Sequence, residues 1–111
     1  METIWSITAD SILSTGRALM AIGVHNWALT KEQALIAADL LAAEGIAILG
    51  GDVYEVVCDV IQPTYDNWYC ERLSGESEAT FVERCLLKTR SYIAGYEAKG
   101  RTILFAIVPQ V

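Results

Sequence analysis

Apolar positions along this chain fall into runs whose spacing predicts helix, helix, three strands, helix and strand, in that order. In the first run Ile12, Leu13, Leu19 and Met20 recur near the helical period from about Ala9 to Ala21. Thr8 is placed to cap this helix, Asp10 suits its first turn, and Gly23 suits its stop. Gly16 inside it weakens the helix by about 1 kcal/mol relative to alanine. The second run is clearer. Thr30 and Gln33 form a capping box, and Gly45 stands where a C-terminal glycine belongs. Between them Leu35, Ile36, Leu40 and Leu41 supply large apolar side chains, and five alanines favour helix and close packing.

Residues Ile46–Leu49 read as a short strand that ends at a Gly50-Gly51-Asp52 break. Val53–Ile61 reads as the next strand, with Glu55 and Asp59 on one parity. Gln62-Pro63-Thr64 is turn chemistry, and Trp68–Arg72 is then a second arm of a hairpin. A long helix is expected from about Glu78 to Ala98, capped by Ser77 and closed by Lys99-Gly100. Its apolar side is Phe81, Cys85, Leu86, Tyr92, Ile93 and Tyr96. Thr102–Val108 is almost continuously apolar, which predicts a central strand. The fold class expected is α+β: a single-domain sandwich over residues 1–111, in α-α-β-β-β-α-β order, with helices packed on a mixed or mainly antiparallel sheet. No repeat, low-complexity tract or proline-rich linker divides it.

Composition narrows the class. Hydrophobic residues make up 53% of the 111 positions and charged residues 20%, enough to close a core without staples and too apolar for a disordered chain. No run of roughly 20 apolar residues is present, and Glu2 and Asp10 stand where a secretory signal would be basic. A cytoplasmic protein is therefore expected. Cys58, Cys70 and Cys85 form no C-x-x-C pair and read as free thiols in a reducing compartment.

Charge changes the picture more. The net charge is −6, but it is uneven. From Gly50 to Glu83 eight acids face one base, Arg72, whereas the residues after Glu83 carry five bases and one acid. The middle third would repel a phosphate backbone and attract a basic protein.

Catalytic chemistry finds little support. His25 has no nucleophile or orienting acid beside it in any known pattern. The three cysteines suit a core better than reactivity. Gly50-Gly51-Asp52 leads into a strand, whereas a phosphate loop leads into a helix. The acids lack calcium-loop or other metal-ligand spacing. Neither enzyme activity, nor a metal, nor a cofactor is expected. Trp68 and Tyr69 must point to opposite faces of one strand, so one of them should be exposed, and both types anchor interfaces.

Three segments in order, Asn26-Trp27-Ala28-Leu29, Gly50-Gly51-Asp52-Val53-Tyr54 and Pro63-Thr64-Tyr65-Asp66-Asn67-Trp68-Tyr69, resemble the immunity protein 40 family of bacterial polymorphic toxin systems. The resemblance runs from about residue 24 to Val108. It implies a small α+β protein that neutralises a toxin encoded beside it, and it brings no catalytic residues. Many such toxins are nucleases with basic clefts, so the partner expected is a cognate toxin, with a basic nuclease as the particular case. No nucleic-acid or membrane partner is expected.

The candidate contact residues are Asp52, Tyr54, Glu55, Asp59, Asp66, Trp68, Tyr69 and Glu71. Two other readings stand beside this one. A small-molecule cleft near Gly50–Asp52, using Asp52, Tyr54 or Asp66, requires a pocket of roughly 300 Å³ or more. A homo-oligomer requires apolar surface left over for self-association.

Overall fold

The computed structural model describes residues 2–111. Helix α1 (Ile7–Leu13) starts at Ser6, whose Oγ accepts the Ala9 N–H at 3.1 Å. Asp10 does not merely suit the first turn. Its carboxylate accepts the N–H groups of Ile4 and Trp5 at 2.7 and 2.9 Å and folds the preceding residues back. The helix stops well short of the expected Ala21. Gly16 shows why, because a Cβ there would stand closer than 3 Å to the Ala28 backbone. Gly16 is a close crossing of two chain segments rather than a weak helix residue. Beyond it β1 (Arg17–Ala18) pairs antiparallel with β2 (Trp27–Ala28), and a 3-10 turn at Met20–Ile22 joins them.

Helix α2 (Lys31–Ala43) forms as its caps dictate. Thr30 Oγ1 accepts the Gln33 N–H at 3.2 Å, and Gln33 Oε1 accepts the Thr30 N–H at 3.0 Å. Gly45 follows in the left-handed region at φ 72°.

The expected hairpin has different bounds. Strand β3 (Ile48–Val57) runs straight through Gly50-Gly51-Asp52 without a break, and β4 (Val60–Tyr69) runs through Gln62-Pro63-Thr64 without a turn. The turn is Cys58–Asp59, two residues with φ of 50° and 64°, as a two-residue hairpin of the right twist requires. Pro63 is tolerated because the sheet order is β4-β3-β5, which makes β4 an edge. The edge strand also bulges between Pro63 and Asn67, where Tyr65 has φ 71°. Both features blunt the edge against pairing with another chain.

Helix α3 (Glu78–Gly95) begins at Ser77, whose Oγ accepts the Thr80 N–H at 3.2 Å. It ends before the expected Ala98. Lys99 and Gly100, both at positive φ, instead turn the chain into β5 (Thr102–Pro109). The central strand is β3, not β5. Leu29 closes part of the outer side of β5 through two bonds with Phe105, at 2.8 and 2.7 Å.

The strand pairings are antiparallel throughout, and the fold is α+β as expected. Helices α2 and α3 pack on one sheet face, over Val53, Trp68, Phe105 and Ile107. The β1–β2 ribbon lies on the other face, where Leu19 and Ala28 cover Tyr54, Leu104 and Ala106. Covering β5 on both faces accounts for its continuous apolar run. Asn26 ties the ribbon to the sheet. It is buried, its Nδ2 donates to the Ile107 carbonyl at 2.9 Å, and its Oδ1 accepts from the Trp27 N–H and from Trp5 Nε1.

Candidate functional site

Alternation along β3 puts Asp52 on the same face as Tyr54, away from the helices. Asp52 is exposed, with Asn67 across on β4 and Ala106 across on β5. Partial burial raises its carboxyl above the ordinary range, and burial followed by the Asp52 charge raises the Tyr54 phenol. The depression beside them, between Leu49, Gly50, Asp52 and Asn67, holds about 200 Å³. That lies below the roughly 300–1,000 Å³ of ligand pockets. It offers a small molecule no enclosed seat.

The other candidates scatter. Tyr54 is nearly covered by the ribbon. Glu55 is half-buried, opposite Gln62. Asp59 sits in the hairpin turn, and Asp66 accepts the Tyr96 hydroxyl at 2.6 Å beside the end of α3. Trp68 points inward. Its Nε1 donates to Thr89 Oγ1 at 3.0 Å, and its ring stacks on Tyr92 with centroids 4.9 Å apart. Tyr69 points outward, with the Lys88 ammonium 5.0 Å from its ring centroid. Of the aromatic pair it is therefore Tyr69 that presents surface. Glu71 lies beyond the far end of β4, and its carbonyl accepts from Arg84. Val60 and Tyr69 pair with Val57 and Gly50, seven residues apart on β3, so the ends of β4 stand about 23 Å apart with Asp59 and Glu71 beyond them, and the eight residues do not form one cluster.

The acidic segment neutralises part of its own charge. Glu76 accepts from Arg84 Nε and Nη2 at 2.7 and 2.9 Å and from the Leu73 N–H at 3.0 Å. Those bonds, the Arg84 bond first, hold its carboxyl at about 2. Glu78 pairs with Arg72, and both guanidinium groups flank the Phe81 ring. Among the described residues Asp52, Glu55, Asp59, Glu71 and Glu83 make no ion pair.

The depressed carboxyl of Glu76 fixes the sign of a pH effect. A group that loses its proton more readily when folded stabilises the fold above its unfolded value of 4.5, and that contribution is lost as pH falls toward 2. Urea unfolding of Glu76→Gln should therefore show less loss of stability than the parent between pH 4.5 and 2. Parallel curves would contradict this.

Two features escape the sequence pattern. Cys58 is exposed in the turn, while Cys70, just after β4, and Cys85, on α3, are buried in one cluster, with burial pushing the Cys85 thiol to about 12. Also, Ile7, Ile36, Leu40 and Leu87 are exposed on the helix layer. Periodicity alone groups Ile36 and Leu40 with the core because α2 is apolar on both sides.

The β3–β4 hairpin thus exposes the carboxylates of Asp52 and Asp59, a depression of about 280 Å³ lies between Asp59 and the ribbon, and the helices expose apolar side chains. The model of the immunity protein 40 family matches residues 18–109, from the first ribbon strand to the last strand of the sheet. The chain belongs to that family. Comparison with curated proteins and with solved structures returns no match. Among the described residues no helix is long and apolar enough to cross a membrane, and no three His, Cys, Asp or Glu side chains are grouped to hold a metal ion.

Proposed function

We propose that this chain is the antidote to a bacterial toxin, acting by stoichiometric binding in the cytoplasm, and that the toxin is a basic protein such as a nuclease. The observation that carries the reading is the family match, joined to unpaired carboxylates at Asp52, Asp59, Glu71 and Glu83. Carboxylates left free of internal partners can steer a basic protein and occupy the place of its phosphates. Asp52, Asp59, Tyr69 and Glu71 are the exposed contacts of this reading. Trp68 and Tyr54 serve it from beneath, by shaping the sheet.

Co-expression with the product of the adjacent gene is the direct test, and growth should be restored. The electrostatic part has its own test. Asp59→Lys with Glu71→Lys should slow association with that protein about tenfold at low salt, and the difference should shrink in high salt. Both side chains are exposed, so any fall in the unfolding midpoint comes from Asp59, whose φ of 64° in the hairpin turn favours Asp over Lys. Equal association rates at low salt would remove electrostatic steering.

A further inference from the structure

We infer that the outer face of the helix layer is the apolar anchor of the interface, and that it receives a polypeptide segment carrying an apolar ridge between lysine or arginine side chains. This rests on the toxin-binding reading and adds its location and partner chemistry.

Three depressions join across that face. The first lies between α1 and α2, holds about 370 Å³, and is lined by Ile7, Ile12, Leu40, Ala43 and Glu44. The second, about 500 Å³, lies between the end of α2 and the start of α3 and is lined by Ala43, Gly45, Ala79, Val82 and Glu83. The third, about 470 Å³, runs along α3 past Ala79, Glu83, Arg84 and Leu87. Ala43 belongs to the first two, and Ala79 and Glu83 to the last two, so the track is continuous.

Its floor is more apolar than a solvated helix surface should be. Leu40 and Ala43 in the track continue an exposed stripe of α2 that begins one turn earlier at Ile36, outside the depressions, while Ala34, Ala37, Ala38 and Leu41 form the buried stripe. Ile7 is 80% exposed, Ile36 61%, Leu87 58% and Leu40 48%. Large apolar side chains gathered on one face mark an interaction surface.

Charge selects the occupant. Arg84 is engaged by Glu76, and Glu78 is engaged by Arg72. The free charges along the track are Glu44 and Glu83, both negative. Glu44 is the C-cap of α2, whose last turn holds no basic residue. A negative charge is disfavoured there, because it adds to the negative pole of the helix. Folding alone gives no reason for it, whereas a basic partner does. A second copy meeting this chain track to track would set Glu44 and Glu83 against the same two carboxylates. The track ends at Arg84, which bonds the Glu71 carbonyl, so it is continuous with the acidic end of β4.

The test is affinity for the toxin encoded beside this chain. Leu40→Lys with Leu87→Lys should weaken binding about 100-fold, mainly through faster dissociation, with the unfolding midpoint unchanged. Glu44→Lys with Glu83→Lys removes no packing and should weaken binding in the same direction. Hydrogen exchange in the complex should protect residues 36–44 and 79–87. If the parent binds and both double variants bind equally well, the track is not the anchor, and the toxin-binding reading survives. If the parent does not bind at all, both fail. If the free parent forms a dimer that Leu40→Lys dissolves, the track is a self-interface and the inference falls.

Discussion

Trp68→Ala is expected to destabilise the fold by about 3–5 kcal/mol, because a large buried ring leaves both a cavity and an orphaned partner. The ring is 5% exposed and lies between the sheet and α3. It starts an aromatic chain: Trp68 stacks on Tyr92, Tyr92 meets Tyr96 at 6.0 Å, and Tyr96 meets Phe105 edge-on at 5.7 Å. Its indole N–H satisfies the hydroxyl of Thr89, which is fully buried. For a chain of this size the loss should lower Tm by about 15 °C. Trp68→Phe keeps much of the stack and loses the N–H bond, so it should cost nearer 1–2 kcal/mol. Urea denaturation of the two variants checks both values. A cost below about 1 kcal/mol for the alanine variant would show that the ring is not part of the core. Because Trp68 is buried, Trp68→Phe should leave partner association unchanged, unlike a change at an exposed contact.

The caps of α2 and the N-cap of α3 were the most legible part of this fold, whereas Thr8 and Gly23 do not bound α1 and α3 ends short of Ala98. Thr30 with Gln33, Ser77 and Gly45 act through bonds to near neighbours, and those bonds are written in short sequence patterns. The strands were read less well, for a reason visible in three places. Gly50-Gly51-Asp52 has turn composition but serves a strand, because a neighbouring strand and a ring need the space of the missing side chains. Pro63 has turn composition but sits on an edge, where it breaks no shared ladder. The real turn, Cys58–Asp59, begins with a residue that signals nothing locally. Each is decided by tertiary contact rather than local preference.

The candidate surface was legible in the same uneven way. Alternation correctly separated Trp68 from Tyr69, but nothing local said which one faces in. The direction comes from α3, which brings Thr89 and Tyr92 to one side. Charge counting found the acidic segment but could not show that Glu76 and Glu78 are taken up by Arg84 and Arg72. The segments that resemble the family are largely structural. Asn26, Leu29, Gly51, Val53 and Trp68 are all buried. Asp52 and Tyr69 are the exposed members of these segments that the proposed contact uses, and the helix track lies outside all three.

Gly51→Ala tests that view at its tightest point, and it is expected to cost about 2–3 kcal/mol by overpacking. The backbone at Gly51 is ordinary strand, so the argument is space rather than conformation. A Cβ there would come closer than 3 Å to Trp68 Cζ2 and Cη2 and to the Ala106 carbonyl oxygen. Trp68 and Gly51 are register partners on β4 and β3, so the ring lies over the glycine. This makes the two sites coupled. In a Trp68→Phe background the outer indole atoms are gone, and the added methyl should cost about 1 kcal/mol less than in the parent. Gly50→Ala is the control. Its Cβ would meet the Trp68 carbonyl, which is backbone, so the smaller ring should give no relief. Costs for Gly51→Ala and Trp68→Phe that simply add would mean that the ring is not what excludes a side chain at Gly51. A coupling at Gly51 with none at Gly50 would mean that this resemblance segment is held by one ring.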